Sequence, residues 1–172
     1  MTQQSALSYD AIGRYAEMVG SHYDIYDSAS GRADLAKLVN SLGGRSEIAS
    51  YDSAESLRVD GVGSFTIFVP PFTSSRRDRF TIAHELGHYF LHYLYEGSTS
   101  TATFNRGGQD RAETQANVFA SSLMMPEQEF RKAHGALIQG LPPDRRFRAL
   151  ARQFDVSPAA AEVRCKVLGL AA

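Results

Sequence analysis

The sequence predicts an α+β domain that is mostly helical, with a small antiparallel sheet of about three strands and a C-terminal segment shaped like a helix-turn-helix. Three observations carry that expectation. Apolar residues recur at helical spacing at both ends of the chain, a β-branched and aromatic stretch with glycine turns fills residues 45–69, and a nearly all-apolar helix follows it. With 172 residues, 43% hydrophobic and 22% charged, the chain has the length and composition of one domain or a domain with a small appendage. Such a chain buries about 70% of its unfolded surface, so it needs no disulfide or metal for stability alone. The formal charge of -1 argues against a surface devoted to nucleic acid, although residues 130–172 hold eight Lys and Arg against three acids. The single cysteine, Cys165, and an N-terminus without a basic segment leading into an apolar one predict a cytoplasmic protein. No apolar run approaches the roughly 18 residues that span a bilayer, so no membrane partner is expected.

Leu7, Ile12, Tyr15, Ala16 and Val19 predict a first amphipathic helix, and Leu35, Leu38, Val39 and Leu42 a second that stops at Gly43-Gly44. The segments SEIASYD, SLRVDG and SFTIFVP then read as strands, the last two joined by a turn around Asp60-Gly61-Val62-Gly63. Pro70-Pro71 and the polar stretch Thr73 to Asp78 end the sheet. Arg79 to Tyr95 is apolar almost all round, as a buried central helix should be. Gly97 to Gln109 is a polar loop without periodicity. Asp110 to Met125 is a second core helix with Ala112, Ala116, Phe119, Ala120 and Leu123 on its apolar side, and Pro126 opens the next one. Beyond Leu141-Pro142-Pro143, two short helices flank Val156-Ser157-Pro158.

The central helix carries His84-Glu85-Leu86-Gly87-His88, an HExxH sequence. Residues i and i+4 lie one turn apart on one helical face, so two imidazoles can close on a single Zn²⁺ at about 2.0–2.1 Å. Glu85 beside them is placed to move a proton between water and a leaving amine. The competing reading is three polar residues decorating an exposed face, but on so apolar a helix their burial without partners would cost several kcal/mol. Catalytic zinc takes three protein ligands and leaves one position open, so a third ligand must come from elsewhere. His92 continues the series, yet eight residues of straight helix rise about 12 Å, too far for a shared ion. Position 91, where a glycine would turn the chain, is leucine. His92 therefore reads as a core histidine or one that orients a ligand. Glu113 is the better candidate, because Glu113, Ala116, Asn117 and Ala120 share a face whose alanines allow close helix packing. Asp110 and Glu96 are rivals, Glu127 and Glu129 suit the first turn of a helix, and Asn117 could orient a ligand.

The blocks RDRFTIAHELGHYFLH and ETQANVFASSLMMP, within residues 77–126, resemble the ImmA/IrrE family of metallopeptidases, with its R-F-T-[LI]-A-H-E-[LI]-G-H helix followed by E-x-x-A-N-x-F-A-x-x-L-[LM]-M-P. The resemblance implies that His84, His88 and Glu113 hold zinc and that Glu85 is the catalytic carboxylate. It implies a zincin-like domain over residues 1–140, a helix-turn-helix-like segment over 141–172, and a protein substrate: a helix-turn-helix repressor, often encoded nearby, whose cleavage releases stress, mobile-element or phage genes. Mn²⁺ or another first-row ion would also suit two histidines and a glutamate.

In a zincin-like fold, Ser64 to Val69 would be the edge on which substrate adds as a strand, through Phe65, Ile67 and Val69. Tyr89, Tyr93, His92 and His134 are candidates for stabilising the oxyanion. Arg76, Arg77 and Arg79 read as solvated surface or as a site for an acidic partner. Two other functions fit the sequence: a DNA-binding regulator acting through the basic C-terminal segment, and a module that sequesters a repressor without cutting it.

Overall fold

A computed structural model describes residues 5–108 and 110–170. Helix α1 (Tyr9–His22) starts where the Ser8 hydroxyl accepts the Ala11 N–H, and it buries Ile12, Ala16 and Val19. Helix α2 (Leu35–Ser41) is capped by the Asp34 carboxylate and buries Leu35, Leu38 and Val39. Gly43 follows at φ +78°, where a β-carbon would lie 2.1 Å from the Gly63 carbonyl oxygen, so only glycine fits.

The sheet has four strands, β1 (Gly44–Ile48), β2 (Glu55–Gly61), β3 (Ser64–Val69) and β4 (Ala102–Asn105), in the order β1-β3-β2-β4. It is mixed, with one strand more than expected: β2 pairs antiparallel with β3 and β4, whereas β1 runs parallel to β3. β3 lies between β1 and β2, so the chain skips one position after β1 and the hairpin returns into it, with β3 running in the same direction as β1.

Ser64 to Val69 is therefore not an edge. β3 is hydrogen-bonded on both sides, and Phe65, Ile67 and Val69 are buried, so no substrate strand can add through them. The apolar run SFTIFV is the mark of an inner strand covered on both faces. The free edges are β1, exposed along most of its length, and β4, which lies inside the stretch read as a loop. Gln109, at the end of that stretch, lies outside the described residues.

Helix α3 (Ser75–His88) begins a turn earlier than its apolar residues, because the Ser74 hydroxyl accepts the Arg77 N–H. It runs on into a π-helical turn, Tyr89–Leu94, whose first five residues are buried. Helix α4 (Arg111–Met124) starts at Asp110, whose carboxylate accepts the Glu113 N–H over 3.0 Å. Helices α5 (Glu127–Leu137), α6 (Pro143–Phe154) and α7 (Pro158–Val167) complete the chain. Leu150, Phe154, Ala161 and Cys165 of the last two belong to the same hydrophobic core as α1, α3 and the sheet, with the Phe154 and Phe130 rings 5.3 Å apart. Among the described residues no helix is long and apolar enough to cross a membrane.

The contact that positions the site is between α3 and α4. A β-carbon on Gly87 would lie 3.0 Å from the Ala116 Cα and 3.1 Å from its carbonyl oxygen, tighter than nine in ten real β-carbon contacts. Gly87→Val should force the helices apart and destabilise the protein by about 1–3 kcal/mol, read as a lower urea midpoint. An unchanged midpoint would contradict this packing.

Candidate metal centre

Three donors meet between α3 and α4. His84 and His88 stand one turn apart, and their Nε2 atoms are 3.1 Å from each other. Glu113, rising from the first turn of α4, places Oε2 3.1 Å from His84 Nε2 and Oε1 3.1 Å from His88 Nε2. Among the described residues this is the one group of three such side chains able to share an ion. The donor set fits one. Two imidazole nitrogens this close can share a proton or a cation but cannot face each other bare, and donors on a tetrahedral zinc lie about 3.3 Å apart.

The surrounding contacts fix the rings. His84 Nδ1 lies 2.8 Å from Asn117 Oδ1, and His88 Nδ1 lies 2.9 Å from His92 Nδ1. The Phe104 ring of β4 stacks on His88 with centroids 5.3 Å apart. Hydrogen bonds from His84 and His88 hold the Glu113 carboxyl far below the usual carboxylate range. Burial opposes the charged form of His84, but bonding to Glu113 and the charges of Glu85 and Glu113 leave its pKa raised. Glu85 is buried beside the pair, and that burial raises its pKa against the pull of His88, His84 and Ser56. Ser56 Oγ of β2 sits 3.1 Å from Glu85 Oε2 and 3.1 Å from the Phe104 carbonyl oxygen. A buried carboxyl that favours its protonated form more than usual, next to a donor set for a cation, is equipped to accept and return a proton.

Comparison with known proteins gives the family. The profile of a peptidase family, the IrrE N-terminal-like domain, matches residues 47–166. The chain belongs to this family. It also resembles the metallopeptidase ImmA of Bacillus subtilis (strain 168), at 30% identity over 94 residues, and the match spans 55% of this chain and 52% of that relative.

In this member of the IrrE N-terminal-like family, a cleft of about 690 Å³ opens onto His84, Glu85 and Glu113. Its other walls include Phe80 of α3, Arg106 after β4, and Val156 and Pro158 from the turn into α7. That turn is anchored by Asp155, whose carboxylate meets Arg32 at 2.7 Å and Arg76 and Arg79 at 3.4 Å. Arg76 and Arg79 are thus partners of Asp155, and Arg76 lines the cleft together with Arg77.

Of the other expected residues, Asp110 is the cap of α4, Glu127 pairs with Arg131, and neither they, Glu96 nor Glu129 joins the three donors. The four oxyanion candidates are buried and absent from the cleft lining. The Tyr89 hydroxyl accepts the Gly63 N–H, and the Tyr93 hydroxyl donates to the Ser100 carbonyl. Ser56, Arg106 and Asp155 were not legible as site residues, since each acquires its place through a contact distant in sequence. Arg106 donates to the carbonyls of Ser53 and Phe68, tying the end of β4 to the sheet.

Asp155 also adopts the left-handed conformation at φ 54°, which Asn and Asp tolerate best after glycine. Asp155→Ala should cost about 1–3 kcal/mol in urea denaturation, and Asp155→Asn markedly less. Equal losses would show that the charge alone matters.

Proposed function

We propose that this chain is a zinc-dependent endopeptidase that cuts a helix-turn-helix transcriptional repressor and so derepresses stress, mobile-element or phage genes, with Mn²⁺ or another first-row ion as an alternative metal. The observation that carries this reading is the convergence of His84, His88 and Glu113 on one point at the cleft, with Glu85 beside it. In the proposed roles, the three hold the ion and Glu85 is the catalytic carboxylate. When bound, the ion supplies a Lewis acid that polarises the scissile carbonyl and lowers the pKa of a water.

Glu85 takes the proton from that water on a carboxylate oxygen and returns it to the leaving amide nitrogen. Ser56 holds the second face of this carboxyl, so the proton is handed over from a fixed position. Asn117 and His92 orient His84 and His88. The free edge of β4 takes the place first expected of β3: its last residue Asn105 and the following Arg106 line the cleft, so an extended repressor segment can pair there as an added strand. This reading places the protein in the cytoplasm, where such a repressor works.

The DNA-binding alternative is less well supported, because the basic excess of the C-terminal segment is partly turned inward. Arg146 and Arg164 are buried, and Arg164 is paired with Glu17 at 3.1 Å.

Incubation with the repressor encoded beside this gene should yield a single cut that a chelator abolishes and added Zn²⁺ restores. Glu85→Gln should lower cleavage at least about 10²-fold with zinc still bound. Cleavage that persists in Glu85→Gln, or in chelator, would contradict the mechanism. Glu113→Ala should weaken zinc binding by at least about tenfold, measured by competition with a chromophoric chelator. Unchanged affinity would remove it from the ligand set.

A further inference from the structure

Gln115 is fully buried on α4 and lies outside the cleft lining, yet all of its polar atoms are engaged. The Ser5 N–H donates to Gln115 Oε1 over 3.2 Å, and Gln115 Nε2 donates to the Ser5 carbonyl over 2.8 Å. A two-point contact with the backbone admits one orientation of the amide. Turned over, it would set N–H against N–H and oxygen against oxygen.

The polarity of that clamp propagates. Gln115 Oε1 lies 3.0 Å from His92 Nε2, so as an acceptor it requires the His92 proton on Nε2 and leaves Nδ1 bare. His92 Nδ1 lies 2.9 Å from His88 Nδ1, so the bare nitrogen requires the His88 proton on Nδ1. His88 Nε2 then presents its lone pair 3.1 Å from His84 Nε2 and 3.1 Å from Glu113 Oε1. Ser5, Gln115, His92 and His88 are all buried, so water cannot substitute for any link.

We infer that Gln115, held by the Ser5 backbone, is a positioning residue that sets the His88 tautomer for metal binding through His92. The opposite tautomer would put an N–H where the ion must sit. The Ser5 backbone is by this route part of the metal centre without being a ligand. The inference rests on the zinc-binding reading proposed above.

Two isosteric variants of the full chain separate the relay from packing. Gln115→Met keeps the volume and removes the acceptor, and Gln115→Glu keeps an acceptor facing His92. Zinc dissociation constants from chelator competition should rise 10–100-fold, by order of magnitude, in Gln115→Met and stay within about threefold of the parent in Gln115→Glu. Packing alone predicts the reverse order, because a buried carboxylate is costlier than a thioether. A Gln115→Glu protein that binds zinc more weakly than Gln115→Met would overturn the inference. Imidazole ¹⁵N spectra of the zinc-loaded parent test it without any variant: the His92 proton should reside on Nε2 and the His88 proton on Nδ1. A His92 protonated on Nδ1 would overturn it. A parent protein that binds no zinc would sink the metal reading itself, whereas zinc held equally well by parent and Gln115→Met would sink only the relay.

Discussion

Glu113 reaches the imidazoles of α3 because α3 and α4 touch at Gly87, where the Ala116 backbone would lie only 3.0 Å from an added β-carbon. Helices packed through larger side chains stand about 8–10 Å apart, and a wider spacing would withdraw a glutamate from a partner at hydrogen-bond distance. The same approach brings Asn117 to His84 and Gln115 to His92, so three successive polar contacts depend on two small residues. It also explains why buried imidazoles and carboxylates are tolerated on a helix otherwise committed to the core. His84 finds Asn117 and Glu113 across the contact, His88 finds Glu113, Glu85 is held from the sheet by Ser56, and a divalent ion would satisfy the donors that converge.

The convergence of His84, His88 and Glu113 was legible in the sequence because their geometry is local or nearly so. The i, i+4 spacing of His84 and His88 is a property of any helix, and the alanine face around Glu113 marks a close helix contact without reference to the rest of the chain. Helical rise alone argues against His92 as a ligand, and its ring lies against His88, outside the group of His84, His88 and Glu113. Strand order was not legible, since period-two patterning says which face a residue takes and not which neighbour its backbone finds. Thus β3 looked like a substrate edge and is an inner strand, while β4, four residues in a polar stretch, carries the free edge. The continuous apolar character of SFTIFV was the available signal of two covered faces.

The C-terminal helices show a similar limit. Their basic charge is visible in composition, but its use is decided by partners far away in sequence. Arg164 donates to the Met125 carbonyl, Ser122 and Glu17, which fastens α7 to α1 and α4. Asp155 gathers arginines from α3 and from the segment before α2, and the turn it anchors supplies a wall of the cleft. These ion pairs are partly exposed, so their net energy is modest, and their larger effect is to hold the turn in one position against the site. A segment that reads as an appendage is therefore part of the surface a substrate would meet.

X-ray absorption at the zinc edge of the zinc-loaded full chain tests the central claim most directly, because it counts the donors without reference to activity. The metal centre proposed above predicts one ion per chain with two imidazole nitrogens and a carboxylate oxygen at about 2.0–2.2 Å, and a solvent oxygen completing the shell. A third imidazole, which would recruit His92, or a sulfur donor from Cys165, would contradict it.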